Sequence, residues 1–311
     1  MIITKTPLRI TFLGSLTDNP KWHSENKGMV IGSSINKYVY CFVRKLSAYE
    51  KQKEVTCPYI KNVLNYFKEK SIDCSNFEIT HFCDLPSNSG LGYQSALTVG
   101  LLQAIHAISN IYISKKDIAN LCNCILQNNL CNFISSADAF LSVYGGQNIV
   151  KFNKSDDVLM IPLKIKHDNL QVLLDRIGLY YLNSFDQIDS QPNEMPEIDF
   201  KRNMWPLVKI AEDGAEVLLS SFDLEEFFRL IKSSFKARAL FFFRVFKKYS
   251  SEFFDRCVFS KLLGFDLMND NGSGCGIIYT DKPISEINLE LLKDYERIPF
   301  NFESNGSSII L

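Results

Sequence analysis

Between Asp84 and Ala96 the chain reads DLPSNSGLGYQSA. Gly90 and Gly92 flank Leu91 just before a helical stretch, and glycines let a backbone turn sharply and come close to a ligand. The start of that helix offers free amides and the positive end of its dipole. Ser89, Gly90, Leu91, Gly92, Tyr93, Gln94 and Ser95 therefore form a candidate cradle for an anion such as phosphate. An ordinary tight turn explains Gly-Leu-Gly before a helix about as well. Tyr93 and Gln94 stand where such a loop favours small hydroxyls.

Other side chains with chemical capability are less suggestive. His23, His81, His106 and His167 form no cluster, and a structural role is expected for each. Nine cysteines, an odd number, include no C-x-x-C, and most lie among apolar neighbours. They read as reduced, buried thiols of a cytoplasmic protein, and a zinc site is not expected. The formal net charge of −1 gives no electrostatic footprint for nucleic acid, so no nucleic-acid partner is expected.

These residues need elements to position them. The 311 residues suffice for two ordinary domains or one large one, and 46% hydrophobic against 22% charged residues is normal for a globular chain. The first residues lack the marks of a signal peptide, and no apolar run approaches the ~20 residues needed to span a bilayer, so no membrane association is expected. Strands are expected at Leu8–Leu13, Lys37–Arg44, Phe77–Cys83, Gln147–Phe152 and Gly276–Thr280, with a last one at Ser307–Leu311. Helical periodicity marks Ile60–Lys70, Gln94–Ser109, a segment opened by the Ser114/Asp117 capping pair, and Ala137–Val143. Further helices are expected near 205–221, 224–247, 250–265 and 285–296, with a long surface loop between Asn183 and Asn203. The mixture implies α+β architecture in two halves, divided as 1–165 and 166–311.

Several motifs occur together in one order. PSNSGLGYQSA (86–96) resembles the second motif of the GHMP kinases, P-x-G-x-G-L-G-S-S-S-A. TPLRITFLGSLTDNP (6–20) is similar to the T-P-L-R-I-S-F-x-G-G-G-T-D-x-P opening of the D-glycero-D-manno-heptose 7-phosphate kinase branch. INKYVY (35–40), VRKL (43–46), ADAFLSVYGG (137–146, against Q-D-Q-x-A-A-A-x-G-G) and RIPFNFESNGSSII (297–310) extend the likeness along nearly the whole chain. The resemblance implies a two-domain GHMP kinase fold. Its N-terminal domain would be like ribosomal protein S5 domain 2, and its C-terminal domain ferredoxin-like. It further implies transfer of the γ-phosphoryl group of ATP to a hydroxyl of a sugar or sugar phosphate, in the branch a heptose 7-phosphate for surface polysaccharides. ATP would lie on the 86–96 loop, with Mg²⁺ as its counter-ion, and a homodimer is allowed.

Carried over by position, Asp138 matches the catalytic acid, which accepts the hydroxyl proton or orients the hydroxyl. Arg9 matches a basic residue that pairs with it or with phosphate. Thr17 and Asp18 match the sugar-binding Thr-Asp pair. Gly145 and Gly146, and Gly272 and Gly274 of NGSGCGI (271–277), match glycine turns near the substrate and phosphates. The departures are specific. Ser15 and Leu16 replace two glycines and would narrow the passage over that loop. Ala137 and Ala139 replace glutamines. Of the serine run that supplies a metal ligand only Ser95 remains, and Leu126 stands where the branch has its metal-binding Glu. Leu126 also continues an apolar stripe. No Arg occupies LNSFD (182–186), where the branch has T-G-x-x-R. Two functional readings follow: an active sugar kinase, or a catalytically lapsed relative that binds a sugar phosphate or a protein partner.

Overall fold

The computed structural model describes residues 1–51, 54–129, 135–154, 157–182, 197–246, 264–267, 274–287 and 292–311. A first sheet is built on β1 (Ile2–Leu13) and the 18-residue β2 (Gly28–Lys45). Both are rich in β-branched and aromatic residues, which suit a pleated surface. Pro7 lacks the amide that a ladder needs. There the register slips, Pro7 facing Tyr38 and Leu8 facing Ile35, so that Asn36 and Lys37 bulge from β2. On either side of this bulge β2 takes a different second partner. Residues 28–33 pair with β4 (Gln147–Phe152), and residues 39–45 with β3 (Phe77–Cys83). The edges are β5 (Val158–Pro162), beside β4, and β10 (Ser308–Ile309), beside β1.

Against this sheet lies α3 (Tyr93–Ile108), with twelve of its sixteen residues buried. Its apolar character runs round most of its circumference, as befits a helix with neighbours on every side. It contacts β1, β2, α2 (Pro58–Glu69), α4 (Lys115–Asn129) and α5 (Ser136–Tyr144). Gly100 permits the close approach: a Cβ there would lie 2.9–3.0 Å from Thr6 Oγ1, Cys41 Sγ and Thr4 Oγ1. The Ser114–Asp117 pair caps α4 as expected, Asp117 N–H donating to Ser114 Oγ at 3.1 Å.

A second antiparallel sheet has the order β7 (Gly264–Leu267), β8 (Gly274–Tyr279), β6 (Ile177–Leu182), β9 (Glu296–Arg297). It is approached through α6 (His167–Asp175); α8 (Leu224–Phe246) packs on β7 and on β1, and α7 (Glu197–Ser220) packs on α8, β1 and β2. The chain then returns. Phe302 bridges to Ile35, Ser307 Oγ meets Thr6 Oγ at 2.7 Å, and β10 joins β1.

Some expectations need correction. Residues 197–203, expected in a loop, open α7; residues 183–196 lie outside the described residues. The helix expected near 224–247 runs unbroken from Leu224 to Phe246. Ile284–Glu286 form a 3-10 turn, where a helix over 285–296 was expected, and 288–291 lie outside the described residues. So does most of the helix expected at 250–265. The short helix α1 (Pro20–His23) went unforeseen, although Asn19 caps it and Pro20 starts it. Among the described cysteines, all free, Cys124 is exposed, against the expectation of burial.

Candidate active site

Arg9 rises from the middle of β1, and Asp138 sits in the first turn of α5. The two meet as a fork: Arg9 Nε donates to Asp138 Oδ1 and Nη2 to Oδ2, both at 2.6 Å. Their side chains are 10% and 9% exposed. The third guanidinium nitrogen, Nη1, donates to the Gly90 carbonyl at 2.9 Å, and the Arg9 amide donates to the Leu91 carbonyl at 3.0 Å. One arginine thus ties the 86–96 loop to the acid on α5.

Glycine is required in this loop. Gly90 and Gly92 hold φ of 77° and 82°, the left-handed region. A Cβ on Gly92 would lie 3.1 Å from Arg9 Cγ and 3.5 Å from Asp138 Oδ2, so the loop lies directly over the ion pair. Gly92 supplies no side-chain cap to α3, which leaves the first-turn amides at the loop without one. Gly274 holds φ +89° and abuts the loop from the second sheet; a Cβ there would lie 2.5 Å from the Asn88 carbonyl oxygen. The Cys275 amide donates to the Ser89 carbonyl at 2.9 Å. The two sheets therefore meet across the loop. Gly272 lies outside the described residues.

Asp18 completes the cluster. It is 2% exposed, and its Oδ2 accepts from the Ala137 amide at 3.0 Å and contacts the Ser135 hydroxyl. Ser135 Oγ also reaches Asp138 Oδ1 at 2.6 Å. Burial, with the neighbouring Asp138 charge adding to it, raises the Asp18 carboxyl to about 6, against the lowering effect of Ser135 and Ala137. The folded carboxyl therefore holds its proton more tightly than the unfolded one. Its contribution to stability is greatest below about pH 4 and fades as pH rises through about 6. A rise of this size corresponds to about 3 kcal/mol. Asp18→Asn is expected to gain about 2 kcal/mol of this on the wild type between about pH 4.5 and about pH 8, measured by urea unfolding. A difference independent of pH would show that Asp18 is not the titrating group.

The other expected site residues divide. Thr17 is fully buried, its hydroxyl donating to the Gly14 carbonyl at 2.7 Å and accepting from the Met29 amide at 3.1 Å. It pins the loop that presents Asp18 and is not open to a substrate. Gly145 and Gly146 stand at the far end of α5 from Asp138 and close on the returning tail. The Gly146 amide donates to the Glu303 carbonyl, and a Cβ on Gly145 would lie 2.3 Å from Gly306 N. Leu16 is buried and so does not narrow the passage, but it holds φ +77°, a left-handed conformation that costs about 1–2 kcal/mol outside glycine.

On the loop itself, the side chains of Ser89, Leu91, Tyr93 and Ser95 are buried, while Gln94 is exposed. Tyr93 packs on Tyr59, and its hydroxyl meets His81 Nε2 at 2.9 Å. Leu126 is fully buried in the core. Among the described residues no group of three or more His, Cys, Asp or Glu side chains is placed to hold a metal ion. The site suits a phosphate group through its glycine loop and uncapped helix, and it does not suit a magnesium ion held by protein side chains. Ser135 was missed in the sequence; a serine three residues before a helix acid is too common a pattern to single out.

Comparison with known proteins agrees with this geometry. Residues 58–146 match the model of the GHMP kinases N-terminal domain. A D-glycero-alpha-D-manno-heptose 7-phosphate kinase of Campylobacter jejuni is 26% identical over 205 residues, spanning 58% of this chain and 60% of that protein. A crystal structure of a D-glycero-D-manno-heptose 1-phosphate kinase from Bacteroides thetaiotaomicron superposes with a TM-score of 0.78 at 21% identity, covering 100% of this chain and 99% of that one. Lactococcus lactis galactokinase complexed with galactose gives 0.72 at 13%, covering 99% and 94%. Among the described residues no helix is long and apolar enough to cross a membrane. Residues 58–146 are thus similar to the GHMP kinases N-terminal domain, and the whole chain shares its fold with these solved kinases.

Proposed function

We propose that this protein is an ATP-dependent kinase that transfers the γ-phosphoryl group to a hydroxyl of a sugar phosphate, a heptose 7-phosphate or a close analogue, in the cytoplasm and toward surface polysaccharide synthesis. One observation supports this above the others: the glycine loop lies over a buried Arg9–Asp138 pair, putting an anion cradle beside a fixed carboxylate. Phosphoryl transfer needs in-line positioning and charge neutralisation more than covalent chemistry. The backbone of 89–95 and the start of α3 hold the phosphates. Asp138, fixed by Arg9, orients the acceptor hydroxyl, and Asp18 stands on the acceptor side. Domains 1–165 and 166–311 supply the two walls, with Gly274 as the contact of the second. Magnesium comes with the nucleotide, held by phosphate oxygens and water, since this cation keeps several waters and needs few protein ligands.

The test is calorimetric titration of the full chain with ATP, with and without Mg²⁺, followed by an assay of phosphate transfer to D-glycero-D-manno-heptose 7-phosphate. Magnesium-dependent binding and transfer are expected. No binding at millimolar ATP would overturn the kinase reading and favour a lapsed relative.

A further inference from the structure

The helix carrying Asp138 is capped in an unusual way. Ser135 occupies its N-cap with extended backbone angles, φ −73° and ψ 115°, yet makes no side-chain cap hydrogen bond. An N-cap serine ordinarily accepts from the second or third amide of its helix. Here the second amide, that of Ala137, is taken by Asp18 Oδ2. The Ser135 hydroxyl is thereby released, and it bridges Asp18 Oδ2 and Asp138 Oδ1.

A hydroxyl has one proton to give. Bridging two ionised carboxylates would leave one of them facing an oxygen lone pair. With both ionised the trio is ready to take up one proton, and which carboxyl receives it is decided by Arg9. Both oxygens of Asp138 already accept from the guanidinium, and protonating Asp138 would break one arm of the fork around a buried cation. Asp18 has no such cation among its hydrogen-bond partners, and it is the carboxyl that burial pushes toward the neutral form. Of the three groups Asp18 and Asp138 are 2% and 7% exposed, while Ser135 is half-buried and the most open to an incoming hydroxyl.

We propose that Ser135 and Asp18 form the proton-accepting relay of this site, Ser135 contacting the acceptor hydroxyl and Asp18 storing the proton behind it. The inference rests on the kinase reading above. As the acceptor oxygen bonds to the γ-phosphorus and the bond from that phosphorus to the leaving ADP oxygen breaks, the acceptor O–H proton passes to Ser135 Oγ. Ser135 passes its own proton to Asp18 Oδ2. The serine is unchanged, Asp18 ends neutral, and its proton leaves to solvent after product release. Asp138 and Arg9 keep their charges throughout.

The test compares wild type, Ser135→Ala, Ser135→Thr and Asp18→Asn as full chains, with ATP, Mg²⁺ and D-glycero-D-manno-heptose 7-phosphate. The kcat of Ser135→Ala is expected to fall about 100-fold, with KM changed by less than about threefold, and Ser135→Thr to recover most of the rate. The wild-type kcat should rise with pH through the Asp18 titration, and Asp18→Asn should lose that limb. Among the described residues the charge acting on Asp18 is that of Asp138, which Arg9 pairs from its other side, and His23 Nε2 lies 3.3 Å from Ser136 Oγ, on the residue whose amide donates to the Asp18 carbonyl. The titration is therefore also followed by NMR of carboxyl-labelled aspartate, where the resonance moving in this range must vanish in Asp18→Asn and shift in Ser135→Ala. An active wild type with unchanged kcat in Ser135→Ala overturns the relay alone. An Asp18 resonance indifferent to Ser135 does the same. A wild type that binds no ATP and transfers no phosphate overturns the kinase reading and the relay together.

Discussion

Arg9→Met is expected to lower the unfolding free energy by about 3–5 kcal/mol at pH 8, the usual cost of removing one partner from a buried ion pair. The arginine donates side-chain hydrogen bonds to both oxygens of Asp138 and to the Gly90 carbonyl. Without it, Asp138 and Asp18 are two buried acids joined through Ser135 with no cation between them. Both must then be neutralised, so the deficit shrinks as pH falls toward about 5. Adding Asp138→Asn in the Arg9→Met background should cost little more, because the charge left unpaired is the one removed. Urea unfolding of the single and double variants at both pH values measures this. A loss under about 1 kcal/mol at pH 8 would place the pair with exposed salt bridges and remove the argument that it anchors the loop.

The second large effect concerns the missing metal ligand. Leu126 is 0% exposed on α4, within the core that α3 and α5 share. Leu126→Ala is expected to cost about 2–5 kcal/mol through lost burial and the cavity left behind. Leu126→Glu restores the residue of the resembling branch but buries a carboxylate among apolar neighbours, and a loss above about 4 kcal/mol is expected, enough to unfold the chain. Thermal denaturation with a magnesium titration separates the alternatives. A folded Leu126→Glu protein with newly metal-dependent ATP binding would mean that the position faces the phosphates and not the core.

Strands and helices with strong periodicity were legible in the sequence. Phe77–Cys83 and Gln147–Phe152 have the expected bounds, and the cap at Ser114 marks the start of α4. Residues 197–203 were not legible, since their polar composition suits a loop or an exposed helix turn equally. At the site, glycine spacing pointed to the loop, and motif order pointed to Arg9, Asp18 and Asp138. What the sequence could not show is how hydroxyls are spent. Thr17 and Ser135 are both small alcohols beside acids, yet one is consumed by the backbone of its own loop and the other is freed by a carboxylate from elsewhere in the chain. Gly145 is a similar case, because a glycine required by a neighbouring backbone looks the same in sequence as one required by a ligand.

The returning tail has a consequence for how the protein is made. Thr6 and Ser307 share a hydrogen bond across 301 positions, and β1 gains its outer neighbour only from residues 308–309. On a ribosome β1 emerges well before residues 308–309, and its outer edge stays unpaired until they have followed. At about 5–20 residues per second that interval is on the order of tens of seconds. The tail also closes on the Gly145–Gly146 turn behind α5. The helix that bears Asp138 therefore reaches its final seating only once residues 303–309 have emerged, and a nascent chain with an open β1 edge is a natural client for a chaperone.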